Sequence, residues 1–323
     1  MNRVLRVRVL GLMVVGLAGL LVAVCVAGCG GSSSKASNAA QGGQSSAPID
    51  AVGAENEYAN AIEQIGGRYV KVTAIESNPN TDPHTFEASP SVAEAVSQAE
   101  LLVENGVGYD TYMEKIESAS PSSSRKVINV QHLLGLPDST PNPHLWYKPE
   151  TMPAVAKALV SDLSALDPAH ASYFQENATK FEESLTPWHE AIEKFKAAYP
   201  NTPVATTEPV GDYMLEAAGT KNMTPFTLQA SIMNGTDPAP QDVTLQNSLF
   251  AQHKVKVFVY NQQVTDTLTE SFLKLAAKYG VPVVGVYETM PTPGYDYQQW
   301  MLAEVKALEK AVKDKVSTQK LVP

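Results

Sequence analysis

Short runs rich in β-branched residues alternate along this 323-residue chain with amphipathic stretches of helical length. The alternation is typical of parallel sheets built from βαβ units, because neighbouring parallel strands need a crossover that is usually a helix. It therefore predicts an α/β fold with parallel sheets. The predicted strands are 70–75, 101–103, 126–130, 203–206, 255–260 and 281–287, and the predicted helices include 55–65, 92–98, 265–279 and 297–312.

An unusually long helical pattern divides the chain near its middle. Apolar residues recur at spacings of four and three from Phe174 to Phe195, and Pro200 follows soon afterwards. Such spacing places the apolar side chains on one face of a helix, and proline cannot continue it. The pattern predicts a helix over 168–199, which spans roughly 45 Å at 1.5 Å per residue. A helix of that length can run along two lobes.

The length of the chain allows two folded lobes beyond its N-terminal segment. We predict an N-terminal α/β lobe over 48–166, a long linking helix within 167–200 and a C-terminal α/β lobe over 201–323. Open α/β sheets bind ligands beyond the carboxyl ends of their strands. A ligand site of this chain is therefore expected in the cleft between the lobes.

Two histidines occur in the same local sequence, Asp82-Pro83-His84 and Asn142-Pro143-His144. Proline fixes its own φ and keeps the preceding residue extended, so each triplet predicts a stiff turn. Neutral imidazole is the commonest protein ligand for a transition metal. One loop histidine alone is readily explained as a solvated residue, but the pair indicates a metal site.

Four side chains follow predicted strands: His84, His144, Glu208 and Glu288. Because strand ends meet at one edge of a parallel sheet, the four can converge on one cleft. Two imidazoles and two carboxylates form a ligand set able to bind Zn²⁺ or Mn²⁺. Asn261, which follows the strand 255–260, is a reserve candidate whose amide oxygen would contact the ion or a ligand carboxylate.

Four motifs in the first half of the chain together resemble those of a known family. They are Ile65-Gly66-Gly67, NPNTDPHTFE at 78–87, NGVGY at 105–109 and NPHLW at 142–146. With them the mature chain resembles the zinc/manganese solute-binding proteins of ABC importers, known as solute-binding protein family 9. The resemblance implies two similar lobes joined by one long helix, and a receptor that delivers a metal ion to an ABC permease.

The resemblance also implies a ligand set, since the family takes one ligand from each of four loops. His84 and His144 match the first two positions, and Glu208 matches the glutamate form of the third. Glu288 occupies the fourth place, where the family usually has aspartate. In the family, glutamate at the third position leans towards manganese and histidine towards zinc. Carboxylates favour Mn²⁺, but Zn²⁺ binds such ligand sets more tightly. The sequence therefore predicts either ion as the ligand.

The N-terminal segment has the pattern of a secretory signal. Three arginines precede an apolar run over 9–27, which ends in Val26-Ala27-Gly28-Cys29. The run is short for a transmembrane anchor, the alternative interpretation, and ends in small residues typical of cleavage. The site resembles the lipobox of bacterial lipoproteins, which implies a signal peptide over 1–28 and a lipid on Cys29. The Gly- and Ser-rich segment 29–47 is expected to be a flexible tether.

Charge and cysteine content limit the partners of the chain. It has 34 acidic against 24 basic side chains and a formal net charge of −10, which argues against nucleic acid as a partner. Cleavage after residue 28 would leave Cys29 as the only cysteine, so no intramolecular disulfide is expected. We expect a monomer that contacts the membrane only through its lipid.

Three functions are compatible with this sequence. The first is an extracytoplasmic receptor that binds a divalent metal ion, Zn²⁺ or Mn²⁺, as transported ligand, with no enzymatic activity. The second is a secreted metal-dependent hydrolase in which one glutamate acts as a base and the ion keeps an open position for water. Binding of a metal chelate or another small solute is a third possibility, which would explain the histidine pair only in part.

Overall fold

The computed structural model describes residues 47–291 and 294–321. The predicted signal peptide, Cys29 and the tether up to residue 46 lie outside the described residues. No helix in those two ranges has both the length and the apolar composition needed to cross a membrane.

The first sheet is parallel throughout and has the strand order β2-β1-β3-β4. Its strands are β1 (Ile49–Glu55), β2 (Val70–Glu76), β3 (Leu101–Glu104) and β4 (Lys126–Asn129). The second sheet is also parallel and repeats this topology in the order β6-β5-β7-β8. Its strands are β5 (Pro203–Thr206), β6 (Lys221–Asn222), β7 (Val257–Asn261) and β8 (Val283–Val286). The predicted α/β class with two parallel sheets is confirmed.

Helices connect the strands of each sheet, as parallel pairing requires. The helices of the described residues are, in chain order, α1 (Asn56–Gly66), α2 (Pro90–Gln98), α3 (Thr111–Ala119), α4 (Val130–Leu133), α5 (Thr151–Leu166), α6 (Ala171–Ala198), α7 (Asp212–Ala217), α8 (Phe226–Met233), α9 (Pro240–Ala251), α10 (Thr267–Lys278) and α11 (Tyr297–Asp314). Helices α4, α5 and α6 lie between the two sheets in the chain, and α11 follows β8.

The long helix α6 has 28 residues, or about 42 Å at 1.5 Å per residue. A 3₁₀ turn over Pro168–His170 precedes it, so the helical segment begins close to the predicted residue 168. Its predicted apolar face is buried along the whole length, from Phe174 to Phe195. Helix α6 contacts α1 and α5 of the first lobe and α11 of the second. One hydrophobic core therefore continues through both lobes along this helix.

Candidate metal centre

The two Asx-Pro-His triplets form tight turns in which the Asx side chain accepts a hydrogen bond from the histidine backbone. The N–H of His84 donates to Oδ1 of Asp82 at 2.9 Å, and the N–H of His144 donates to Oδ1 of Asn142 at 3.0 Å. Each imidazole is therefore presented by a stiff turn beyond the end of a strand of the first sheet, as predicted.

The two imidazoles converge on one carboxylate oxygen of the second lobe. Nε2 of His84 and Nε2 of His144 each lie 3.1 Å from Oε2 of Glu288. One ligand atom from each of these three residues lies within 4.8 Å of the others. Glu288 and His144 are buried, and the His84 side chain is 20% exposed. A ligand reaching this centre would therefore meet His84 first.

Asn142 determines which nitrogen of His144 faces the centre. Its Nδ2 donates to the carbonyl of Pro209 at 2.7 Å, so its Oδ1 is the acceptor for Nδ1 of His144 at 2.8 Å. Nδ1 therefore keeps its proton, and once the ring is neutral the lone pair of Nε2 is directed to the centre. Metal-ligating histidines usually make such a hydrogen bond through their other ring nitrogen.

Glu208 lies beside this group but outside the three-residue cluster. Its side chain is buried, its Oε1 accepts from Nδ2 of Asn261 at 3.1 Å, and its Oε2 has no hydrogen-bond partner among the described residues. The same Nδ2 donates to Oε1 of Glu288 at 2.6 Å. The amide nitrogen of Asn261 thus holds the two carboxylates together. Its amide oxygen, which we considered as a contact for the ion, accepts instead from the N–H of Gln263.

The protonation of the site follows from burial and from these contacts. Burial tends to raise the pKa of Glu288, but the hydrogen bonds with His144 and His84 outweigh it and hold the pKa well below the usual range. Burial raises the pKa of Glu208 well above its usual value, and the charge of Glu288 raises it further. Burial lowers the pKa of His144, whereas Glu288 outweighs burial at His84 and raises its pKa. Glu288 is therefore the ionised carboxylate of the site, and the raised pKa values of Glu208 and His84 favour a proton on each of them.

Sequence reasoning missed the contact that Tyr109 makes with the site. Its hydroxyl donates to Oε2 of Glu288 at 3.0 Å, and its ring contacts the rings of His84 and His144 edge-on at centroid distances of 5.2 and 5.8 Å. Tyr109 ends the NGVGY motif, so the motif marked the right segment without indicating this role.

A cavity of about 620 Å³ lies directly outside the centre. His84 and Tyr109 line it on the side of the first lobe, and Asn234 and Gly235 line it on the side of the second. The loop that follows α8 therefore lies at the mouth of the cleft. The exposed part of His84 therefore faces this cavity.

Two similar α/β lobes, one long helix along both and a buried histidine–carboxylate centre between them define a two-lobed binding protein. The family model for zinc-uptake complex component A, periplasmic (ZnuA), matches residues 52–311. The chain belongs to this family, as the sequence motifs indicated.

The names of individual relatives are consistent with this family. The manganese-binding lipoprotein MntA of Bacillus subtilis is 26% identical over 136 residues, which are 40% of this chain and 44% of that protein. The manganese ABC transporter substrate-binding lipoprotein PsaA of Streptococcus pneumoniae is 26% identical over 192 residues, 54% of this chain and 61% of that one. The chain thus matches about half the length of these curated relatives.

Solved structures share the fold over nearly their whole length. The periplasmic zinc-binding protein TroA of Treponema pallidum has a TM-score of 0.69 and 18% identity, covering 84% of this chain and all of TroA. A manganese-bound periplasmic metal-binding protein of Candidatus Liberibacter asiaticus has a TM-score of 0.65 and 20% identity, covering 81% of this chain and 98% of that one. At these identities the likeness shows the two-lobe fold.

Proposed function

We propose that this protein is an extracytoplasmic receptor that binds one divalent transition metal ion and delivers it to an ABC importer. The main observation in support of this proposal is the convergence of His84, His144 and Glu288 in the cleft between the lobes. These residues come from different loops of both lobes, so an ion held among them joins the lobes. The names of the manganese- and zinc-binding relatives support the same function.

The proposed ligands are His84, His144, Glu208 and Glu288. Glu208 belongs in this set because its buried Oε2 has no hydrogen-bond partner among the described residues and Asn261 holds it beside Glu288. Buried polar atoms normally have partners, and a cation would supply one. Two neutral imidazoles and two carboxylates also balance the charge of a divalent ion. Binding would remove the proton from Glu208, because a nearby positive charge favours the ionised carboxyl.

Zn²⁺ and Mn²⁺ both fit this ligand set. Two carboxylates suit Mn²⁺, whereas the Irving–Williams order favours Zn²⁺ for almost any such set. The relatives are divided in the same way, since their names include zinc- and manganese-binding proteins. A titration with both ions in competition, followed by elemental analysis of protein from its own host, identifies the transported ion.

The same proposal includes the N-terminal segment and the domain boundaries. Residues 1–28 would be removed as a signal peptide, Cys29 would carry the lipid, and the segment 29–47 would tether the lobes 48–166 and 201–323 to the membrane. The relatives named as lipoproteins support this arrangement. The protein would then act as a monomer beside its permease.

The site favours binding over catalysis. A catalytic zinc site keeps a coordination position open for water, next to a general base. Here both glutamates are buried and both accept hydrogen bonds from Asn261, so each is held in place for the ion. The family and the relatives described above are named for metal binding and uptake, which gives no support to the hydrolase alternative.

Native mass spectrometry of residues 47–323 tests the proposed function. After addition of Zn²⁺ and desalting, we expect one ion per chain, and none for His144→Ala. His132→Ala is the matched control, because His132 is an exposed histidine of the first lobe outside the centre. Two ions per wild-type chain, no ion, or an equal loss in the control would contradict the proposal.

A further inference from the structure

Gln263 makes an unusual number of hydrogen bonds for one side chain. Its Oε1 accepts from the backbone N–H groups of Glu288 and Thr289 at 2.7 and 2.8 Å. Its Nε2 donates to the carbonyl of Thr81 at 2.8 Å and to Oγ1 of Thr289 at 3.1 Å. The residue is buried, and all four partners fit one orientation of the amide.

These bonds join the loops that carry two of the proposed ligands. Thr81 belongs to the loop of the first lobe that leads into His84, whereas Glu288 and Thr289 belong to the loop after β8 in the second lobe. Gln263 itself follows β7, and its N–H donates to Oδ1 of Asn261, the residue that holds both carboxylates. One residue thus links the His84 loop and the Glu288 backbone through its side-chain amide, and the carboxylate pair through its backbone N–H and Asn261.

We propose that Gln263 is a positioning residue that couples the His84 loop to the Glu288 loop, so that the ion is retained while the contact with Thr81 persists and is released when it breaks. This inference rests on the proposed function. When the lobes separate, the Nε2 bond to Thr81 must break, because donor and acceptor belong to different lobes. The Oε1 bonds lie within the second lobe and can persist.

The rate of metal release tests the proposal. Wild type and Gln263→Met are loaded with Zn²⁺ and mixed with excess chelator, and the loss of bound ion is followed. We expect release about tenfold faster from Gln263→Met, the change expected when a buried hydrogen-bonded amide is lost. The control is Gln298→Met. Gln298 also bridges the lobes, through a reciprocal amide pair with Gln64 at 2.9 and 3.1 Å, but among the described residues its side chain makes no hydrogen bond with a ligand loop.

Gln263→Glu separates the two functions of the side chain. It retains an acceptor for the N–H groups of Glu288 and Thr289 but replaces the donor to Thr81. In hydrogen-exchange mass spectrometry of the Zn²⁺-loaded protein, we expect faster exchange over 78–87 and unchanged protection at Glu288 and Thr289. A merely structural role would raise exchange in both loops or in neither.

The outcomes distinguish this inference from the proposed function. If wild type retains Zn²⁺ and Gln263→Met releases it at the wild-type rate, the inference is wrong and the proposed function stands. The inference is equally wrong if Gln298→Met accelerates release as much as Gln263→Met does. If wild type retains no ion, both the proposed function and the inference about Gln263 are wrong. If Gln263→Met does not fold, the exchange pattern of Gln263→Glu decides.

Discussion

Replacing Asn142 by alanine should weaken metal binding, although Asn142 is not one of the four proposed ligands. The change removes the Oδ1 acceptor of both N–H groups of His144 and the donor to Pro209, a residue adjacent to Glu208. Outer hydrogen-bond partners of metal ligands typically contribute 10- to 100-fold in affinity, which is about 1.4–2.7 kcal/mol. We expect a loss in that range, because the ring of His144 could then turn and present a proton to the ion.

Two further variants make this prediction specific. Asn142→Asp keeps the acceptor for His144 and loses only the donor to Pro209, so it should retain most of the affinity. Asn177→Ala is the matched control, since its Nδ2 also donates to a backbone carbonyl, that of Ile65 at 3.1 Å, away from the centre. Competition titration against a chelator of known affinity measures all three. Wild-type affinity in Asn142→Ala, or equal losses in Asn142→Asp and Asn142→Ala, would refute the reasoning.

Three other changes test separate parts of the account. Glu288→Asp should retain measurable metal binding in the same titration, because the family usually has aspartate there, whereas Glu288→Ala should lose it. Glu304 is buried and burial raises its pKa to about 8, above its value in the unfolded chain, so its contribution to stability is present at low pH and is lost as the pH rises towards 8. Urea unfolding should therefore show a smaller loss of stability from pH 5 to pH 8 in Glu304→Gln than in wild type, and equal losses would argue against a protonated Glu304. Cys29→Ala should release the protein from membranes in a detergent-partition assay without changing metal affinity, and continued retention would favour a transmembrane anchor.

The strands with strong β propensity were predictable from sequence, and the weaker ones were not. β2, β4 and β7 overlap the runs predicted at 70–75, 126–130 and 255–260. β1 was missed because Ala51, Gly53 and Ala54 give it few large β-branched residues. The small residue at 53 has a structural reason, since a Cβ there would collide with the backbone of Ala59 at the start of α1. β6 has only two residues, too few for any periodic pattern.

The convergence of His84, His144 and Glu288 was predictable from sequence, but most contacts of the candidate site were not. Strand ends and the two triplets placed His84 and His144 at the centre, and Glu288 meets them there. The alternation of strands and helices cannot reveal which amide orients which ligand. The roles of Asn142 and Gln263 depend on contacts with Pro209 and Thr81, which are distant in sequence and meet only in the folded protein.

The metal-dependent rise in melting temperature tests the central claim most directly. A ligand that binds only the folded state stabilises it by RT ln(1 + [L]/Kd), or about 4 kcal/mol at a thousandfold excess over Kd. Wild type should gain this stability with Zn²⁺ or Mn²⁺. His84→Ala and His144→Ala should lose most of the gain, while their melting temperatures without metal stay close to that of wild type. If both variants respond to metal as wild type does, the ion binds elsewhere and the proposed function is wrong.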